Sequence, residues 1–231
     1  MKMGSEVSEA RKAAAIKAME YLGRARVVGL GTGSTVEIFL RLASGRLLDR
    51  VVVASSTDTA LLASELGLKV LDPATVDRVD VYVDSADEVD LLGRMVKGGG
   101  AAMTMEKVLA SAADLRVFVV DELKVVPRVP HARPIPVEVL PQAISFVRRR
   151  LAELGYGVSV RASQGKRGPV VTDLGGVVLD VTPPKDADPA EVSRTLKSVP
   201  GVVEHGLFVG LVDVLVIGRL SGRVETVAFG R

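Results

Sequence analysis

Lys97-Gly98-Gly99-Gly100-Ala101-Ala102-Met103-Thr104-Met105-Glu106-Lys107 joins a basic side chain, three consecutive glycines and a carboxylate in one short stretch. Glycines lack a Cβ and let a backbone approach a ligand closely. A helix starting behind the run would aim its first N–H groups at an anion held there. Lys97 adds positive charge. Glu106, about one and a half turns into a helix expected over residues 101–112, would face the same cleft. An anion loop with an acid/base group beside it suits chemistry on a small phosphorylated molecule. Alone, Glu106 would be an ordinary glutamate favoured by the helix dipole. The neighbouring glycines and Lys97 argue for more than that.

Two more loops follow apolar strand patterns, where an open α/β sheet places its ligands. The first is Gly29-Leu30-Gly31-Thr32-Gly33-Ser34-Thr35. It lacks the third glycine of the dinucleotide fingerprint, and the second strand ends on Ser55 and Ser56 rather than an acid. No Gly-Lys-Ser/Thr is present, so the P-loop pattern fails as well. What remains is a hydroxyl-rich nest fit for one phosphate, although Ser34 or Thr35 could equally cap the helix that follows. The second loop is Asp84-Ser85-Ala86-Asp87-Glu88-Val89-Asp90. Acids this dense repel one another and need a use, a cation or solvent. With no histidine near and Lys97 able to balance charge, the metal-free reading is preferred over a hard-cation site. Lys124, in Asp121-Glu122-Leu123-Lys124, again follows a strand end. His131 and His205 are isolated and read as structural or surface residues.

The elements that must position these loops alternate. A helix capped by Ser8 should run to about residue 22, followed by strands over 25–31, 51–54, 79–84 and 115–120. Helices are expected through about 43, over 57–66 and over 101–112. Alternating strands and helices imply a parallel sheet with helices on both faces. Prolines 127, 130, 134, 136 and 141 then mark a linker. Beyond it the order is strand 135–139, helix 142–154, strands 157–161 and 176–181, helix 189–199 and strand 202–205, a βαββαβ ferredoxin-like unit. Strands over 212–217 and 224–229 should return to the first sheet. The expected architecture is α/β: a Rossmann-like doubly wound domain of residues 1–127 and 207–231, with an inserted ferredoxin-like α+β lid of residues 128–206.

Composition narrows the functional classes. The 231 residues are 48% hydrophobic, enough for a sizeable core and a smaller satellite domain. A net charge of +2 with few aromatic side chains argues against a nucleic-acid partner. No apolar run reaches the roughly 18 residues of a membrane span. The charged N-terminus lacks the apolar centre of a signal peptide, so a cytoplasmic protein is expected. Absence of cysteine excludes disulfides and thiolate catalysis. Asparagine is missing too, a depletion that fits a thermophilic source, with codon bias as the plain alternative.

Taken together, Val28–Thr35, Ser55-Ser56-Thr57, Tyr82–Asp90, Lys97–Ser111 and Pro136-Val137-Glu138-Val139 resemble type A ribose-5-phosphate isomerase. Gly168–Asp173 and Pro200–Phe208 match as well. Ser85 stands where the family usually has glycine, and Glu122-Leu123 where it has smaller residues. The resemblance implies an aldose–ketose isomerase of the non-oxidative pentose phosphate pathway. It would interconvert ribose 5-phosphate and ribulose 5-phosphate without cofactor or metal, as a homodimer or homotetramer. By motif match Glu106 is the base, and Asp84, Asp87 and Lys97 assist ring opening and oxygen protonation. Gly31, Thr32, Gly33, Ser34, Thr35, Ser55, Gly98, Gly99, Gly100 and Lys124 form the expected substrate-binding set. A phosphosugar-sensing module and a coenzyme A transferase-like enzyme are the alternatives from other classes. The sensor would need a DNA-binding segment for which the chain has no room.

Overall fold

The computed structural model describes residues 2–165 and 167–230. In chain order, helix α1 (Lys2–Ala18) precedes strand β1 (Val27–Leu30), helix α2 (Ser34–Leu47), strand β2 (Val51–Ala54) and helix α3 (Thr57–Glu65). Strands β3 (Lys69–Leu71), β4 (Val79–Asp84), β5 (Glu88–Val89) and β6 (Met95–Val96) come next. They are followed by helix α4 (Met103–Ala112), strand β7 (Ala113–Asp121), strand β8 (Ile135–Val139) and helix α5 (Ile144–Glu153). The chain continues with strands β9 (Gly157–Val160) and β10 (Val177–Thr182), helix α6 (Pro189–Ser198), and strands β11 (Val202–His205) and β12 (Leu207–Phe208). Strands β13 (Val214–Gly218) and β14 (Val224–Ala228) complete it.

Two compact units result. The first holds the described residues up to Ala86, Met105–Val126 and those from Leu211 onward. The second holds Asp87–Thr104 and Pro127–Gly210. The segment 87–104, expected with the first domain, therefore packs with the second unit.

The first unit is built on a seven-stranded sheet ordered β14-β13-β7-β4-β1-β2-β3, parallel except for β14. Its central strands are valine-rich, and β4, β13 and the second half of β7 are buried almost throughout, as strands covered on both faces must be. Helix α2 turns Val36, Phe39, Leu40, Ala43 and Leu47 inward at helical spacing. These meet Ala14, Ala15, Ala18 and Leu22 and the valines of β1, β4 and β7. Helix α1 packs closely on β13 because Gly218 has no side chain: a Cβ there would stand 2.0 Å from the Ala10 carbonyl oxygen. Truncating the fully buried Phe39 to Ala would cost about 3–5 kcal/mol by leaving a cavity.

The second unit carries an antiparallel sheet ordered β11-β8-β10-β9. With α5 and α6 as its crossovers this is the ferredoxin-like order. Asp188 caps α6 by accepting from the amides of Ala190 and Glu191, with Pro189 in the first turn. Val192 and Leu196 of α6, and Val147 and Leu151 of α5, are the buried helical faces. A small sheet β12-β6-β5 belongs to the same unit and had no clear signature in the sequence. Two-residue strands are too short to show an alternating pattern. The short edge strand β3 was missed for the same reason.

Three helix starts differ from expectation, α5 among them, at Ile144 rather than 142 because residues 141–143 form a 3₁₀ turn. Ser8 lies inside α1 rather than at its cap. Helix α4 begins at Met103, because Ala101 sits at φ +60°, outside the right-handed helical region. Glu106 consequently belongs to the first turn. Among the described residues no helix is long and apolar enough to cross a membrane.

Candidate functional site

In the first unit the ends of β1, β2 and β4 lie side by side. The Gly31 amide bonds the Val83 carbonyl and the Ser55 amide the Leu30 carbonyl, each at 2.9 Å. Only glycine fits at position 31: an added Cβ would lie 1.9 Å from the Asp84 carboxylate. Beyond it the Thr32 hydroxyl meets those of Ser55 at 2.9 Å and Ser56 at 2.7 Å, while Thr59 donates to the Gly31 carbonyl at 2.8 Å. Gly33, at φ +108°, is the N-cap of α2 and supplies no side-chain cap. The Ser34 and Thr35 hydroxyls therefore lie inside the first turn, with Ser34 exposed and Thr35 buried. Ser34 accepts from Nη1 of Arg11 at 3.1 Å, and Arg11 Nε is anchored on Asp121 at 2.7 Å. The nest thus has a guanidinium beside it. Motif reading missed Arg11 because a single basic residue on a charged helix carries no pattern.

Asp84 ends β4 and is fully buried. The Tyr82 hydroxyl donates to its Oδ2 and the Ser85 amide to its Oδ1 at 2.7 Å, so each carboxylate oxygen has a donor. Ser85, despite replacing the family's glycine, is not among the positive-φ residues. The phenol of Tyr82 is pushed well above its ordinary value. Burial is the main cause, the charges of Asp84 and Glu106 come next, and a hydrogen bond with Ser55 opposes the rise. Both acids therefore act on one buried phenol. Glu106 itself is 4% exposed in the first turn of α4, where the helix dipole favours an anion. The Lys124 amine donates to the Ala86 carbonyl at 2.6 Å and braces the loop after Asp84. Leu123 and Glu122 leave its reach intact by turning as a short 3₁₀ segment capped by Asp121.

In the second unit the remaining acids of the loop each find their own donors. Asp87, half-buried, accepts from the Gly99 amide at 2.7 Å. Glu88 accepts from the amides of His131, Ala132 and Arg133 at 2.8–3.0 Å. Asp90 pairs with Arg94 at 2.7 Å and takes the amides of Leu92 and Arg94 in the β5–β6 turn. Separate donors thus offset the like-charge repulsion read from the sequence. Lys97 is buried; its amide bonds the Gly206 carbonyl at 2.7 Å and its ammonium stands 5.6 Å from the centroid of the Phe208 ring. Gly98 is buried at φ +101°, while Gly99 and Gly100 are exposed. A Cβ on Gly99 would come within 2.8 Å of Asp87. Buried Glu138 takes hydroxyl hydrogen bonds from Thr104 and Thr172, and so fixes the residue that follows Met103 in α4. A wider groove of about 800 Å³ in this unit, along residues 128–134 and 182–187, contains none of the expected site residues.

Each unit thus presents groups for acid–base work next to backbone and hydroxyl donors suited to anions. A Rossmann-like sheet with buried carboxylates at its strand ends and a ferredoxin-like partner unit defines a class of α/β proteins. Comparison with known proteins identifies the family. Residues 51–222 match the family model of ribose 5-phosphate isomerase A (phosphoriboisomerase A). The chain is 47% identical over 214 residues to ribose-5-phosphate isomerase A of Aeropyrum pernix, covering 90% of each protein. It is 42% identical to that of Prochlorococcus marinus, covering 95% of each. A D-ribose-5-phosphate isomerase solved with phospho-erythronic acid superposes with a TM-score of 0.91 at 36% identity, covering 96% of this chain and 99% of that one. The ribose 5-phosphate isomerase A of Methanocaldococcus jannaschii gives a TM-score of 0.90 at 34% identity, with 96% and 99% covered. The chain belongs to the ribose 5-phosphate isomerase A family.

Proposed function

We infer that the chain is an aldose–ketose isomerase interconverting D-ribose 5-phosphate and D-ribulose 5-phosphate. The observation that carries the chemistry is the pair of buried carboxylates in the first unit: Asp84 at the end of β4, held by the Tyr82 hydroxyl and the Ser85 amide, and Glu106 in the first turn of α4. Isomerisation moves a carbonyl from C1 to C2. It needs a base for the C2 proton, donors for the oxygens of the enediolate, and a group to open the furanose.

Glu106 removes the C2 proton and returns it to C1, one carboxylate serving both carbons on the same face. Lys97 and the amides of the Gly98–Gly100 run offset the negative charge that develops on O1 and O2. Asp84 and Asp87 exchange protons with the sugar oxygens during ring opening. The nest from Gly31 to Thr35, with Ser55, takes the phosphate, and Arg11 supplies charge there. Lys124, which donates to the Ala86 carbonyl, supports the loop after Asp84. A relative was solved with phospho-erythronic acid, a molecule with one phosphate and one carboxylate, which supports a site that takes a small phosphorylated sugar acid or sugar. These charges are of the kind that a phosphate nest and a set of oxyanion donors receive.

Incubation with ribose 5-phosphate alone, followed as ketose formation, tests the assignment. Turnover that survives prolonged EDTA treatment is expected, because the proposed roles use only side chains and backbone. Tight binding without turnover would make the chain a sensor and overturn the reading. Self-association into a dimer or tetramer belongs to the same proposal. Leu91 and Leu92, 61% and 72% exposed at the β5–β6 turn, are apolar surface for such a contact, and a monomer in light scattering would remove this part.

A further inference from the structure

We propose that Arg161 is a positioning residue for the reaction. Its guanidinium holds the carbonyls of Gly98 and Gly99, and thereby fixes the amide that orients Asp87. The inference rests on the role given to Asp87 above. It concerns a residue outside every motif that pointed to the site.

Three glycines in a row are the most costly backbone to hold still, because each gives up more conformational freedom than any other residue. Something must keep the run from Gly98 to Gly100 in one arrangement. The Ala101 amide closes the turn on the Gly98 carbonyl at 3.0 Å, and the Arg161 side chain, 19% exposed, holds that carbonyl from outside the turn. Nη1 donates to the Gly98 carbonyl at 2.7 Å and lies 3.4 Å from the Gly99 carbonyl. Nε lies 3.1 Å from both carboxylate oxygens of Asp180, and Nη2 donates to Oδ1 at 2.5 Å. Asp180 on β10 thus grips one side of the fork and leaves the other for the loop. The Arg161 backbone is itself held, its amide on the Val178 carbonyl and its carbonyl on the Val170 amide.

The consequence for Asp87 follows from the planarity of the peptide. The Gly98 carbonyl and the Gly99 amide belong to one trans unit and point in opposite directions. A cation on the carbonyl therefore turns the amide the other way, and the Gly99 amide does meet Asp87 Oδ2 at 2.7 Å. The same argument turns the Gly100 amide away from Arg161. One rigid peptide links the guanidinium to the carboxylate. Asp87, Gly99, Arg161 and Asp180 also line one cavity of about 270 Å³. An ordinary exposed Arg–Asp pair would contribute little to stability and would have no reason to direct a third donor at a glycine carbonyl. A lysine could neutralise Asp180 but could not hold both partners, since its ammonium lacks the planar fork.

Steady-state kinetics on Arg161→Ala, Asp87→Asn and the double variant test the proposal. Arg161→Ala should lower kcat by up to roughly 100-fold, the scale of a displaced catalytic group, with KM within about threefold. Added guanidinium should restore part of that rate. In the Asp87→Asn background the same change should cost little more, because its effect passes through Asp87. A purely structural arginine would give a loss that guanidinium does not repair and that adds fully to Asp87→Asn, and that result would overturn the inference. Arg161→Ala with wild-type kcat would overturn it too. Should Arg161→Ala fail to fold, Arg161→Lys takes its place, with melting preserved and kcat reduced; a wild-type kcat there is equally fatal. If Asp87→Asn alone keeps the wild-type rate, the proposed role of Asp87 fails along with this one. If only the Arg161 variants behave as wild type, the fault lies with this inference alone.

Discussion

The Tyr82 hydroxyl donates a 2.5 Å hydrogen bond to Oδ2 of Asp84, and both residues are fully buried on the same strand. Residues two apart on a strand point to one face, which is why the contact can form within β4. The phenol's raised pKa keeps it protonated as a donor across the neutral range. Asp84 is thereby held in one orientation, with its second oxygen on the Ser85 amide.

Tyr82→Phe should therefore disturb Asp84 without removing it. Loss of one donor to a buried carboxylate costs about 1–3 kcal/mol of stability, seen as a lower melting midpoint. Isomerase kcat should fall by roughly tenfold, the order expected when a charge-assisted hydrogen bond worth about 1.5 kcal/mol is lost at a reacting group. A variant with unchanged kcat and unchanged melting would show that the bond does not orient Asp84.

Glu106→Gln keeps the shape and polarity of the side chain but removes the basic oxygen. Substrate binding should persist while kcat falls by roughly 10²–10⁴, the usual contribution of a positioned acid/base group. The loss belongs in kcat rather than KM because the missing interaction is made in the transition state. Near-wild-type kcat would take Glu106 out of the mechanism and turn attention to Asp84 and Asp87.

Lys97→Ala should raise KM and lower kcat together, because the proposed contact of the ammonium is with the sugar oxygens O1 and O2, present in the bound substrate and more strongly charged in the enediolate. A kcat/KM within about twofold of wild type, far below the 10²–10³ of an oxyanion donor, would place Lys97 outside the site. Lys97→Arg is the informative companion. Its larger fork must fit over Phe208 in a buried position, so only partial recovery is expected.

Stability in acid should depend on Asp80. Its carboxylate accepts from the amides of Val27 and Arg26, which hold its pKa below the ordinary carboxylate value near 4. A depressed folded-state pKa stabilises the fold above the unfolded value, and the contribution disappears as pH falls through the folded value. Asp80→Asn should therefore lower the melting midpoint at pH 7. The gap to wild type should stay constant down to about pH 5 and close below about pH 4. A gap that widens in acid would contradict this sign.

The order of strands and helices was legible in the chain because buried parallel strands read as valine runs and glycine loops mark their ends. Strands 51–54, 79–84 and 202–205 coincide with β2, β4 and β11. The glycine run before Glu106 and the acidic loop after β4 were likewise visible as residue types at fixed spacing. Such local patterns hold because they arise from the backbone's own preferences and from which faces must be buried. Other features depended on residues far apart in sequence and had no local pattern. Arg11 meets Ser34, Arg161 meets Gly98, and Glu138 meets Thr104 and Thr172 only once the chain has folded. The segment 87–104 joins the second unit through β12, which pairs with β6 from more than a hundred residues away. Why Gly31 must be glycine is also a tertiary fact, since the atom it makes room for is the carboxylate of Asp84 on the neighbouring strand. Residue types and spacing specify which chemistry is available, but hydrogen-bond partners across the fold decide which groups are held for it, because their geometry exists only after packing.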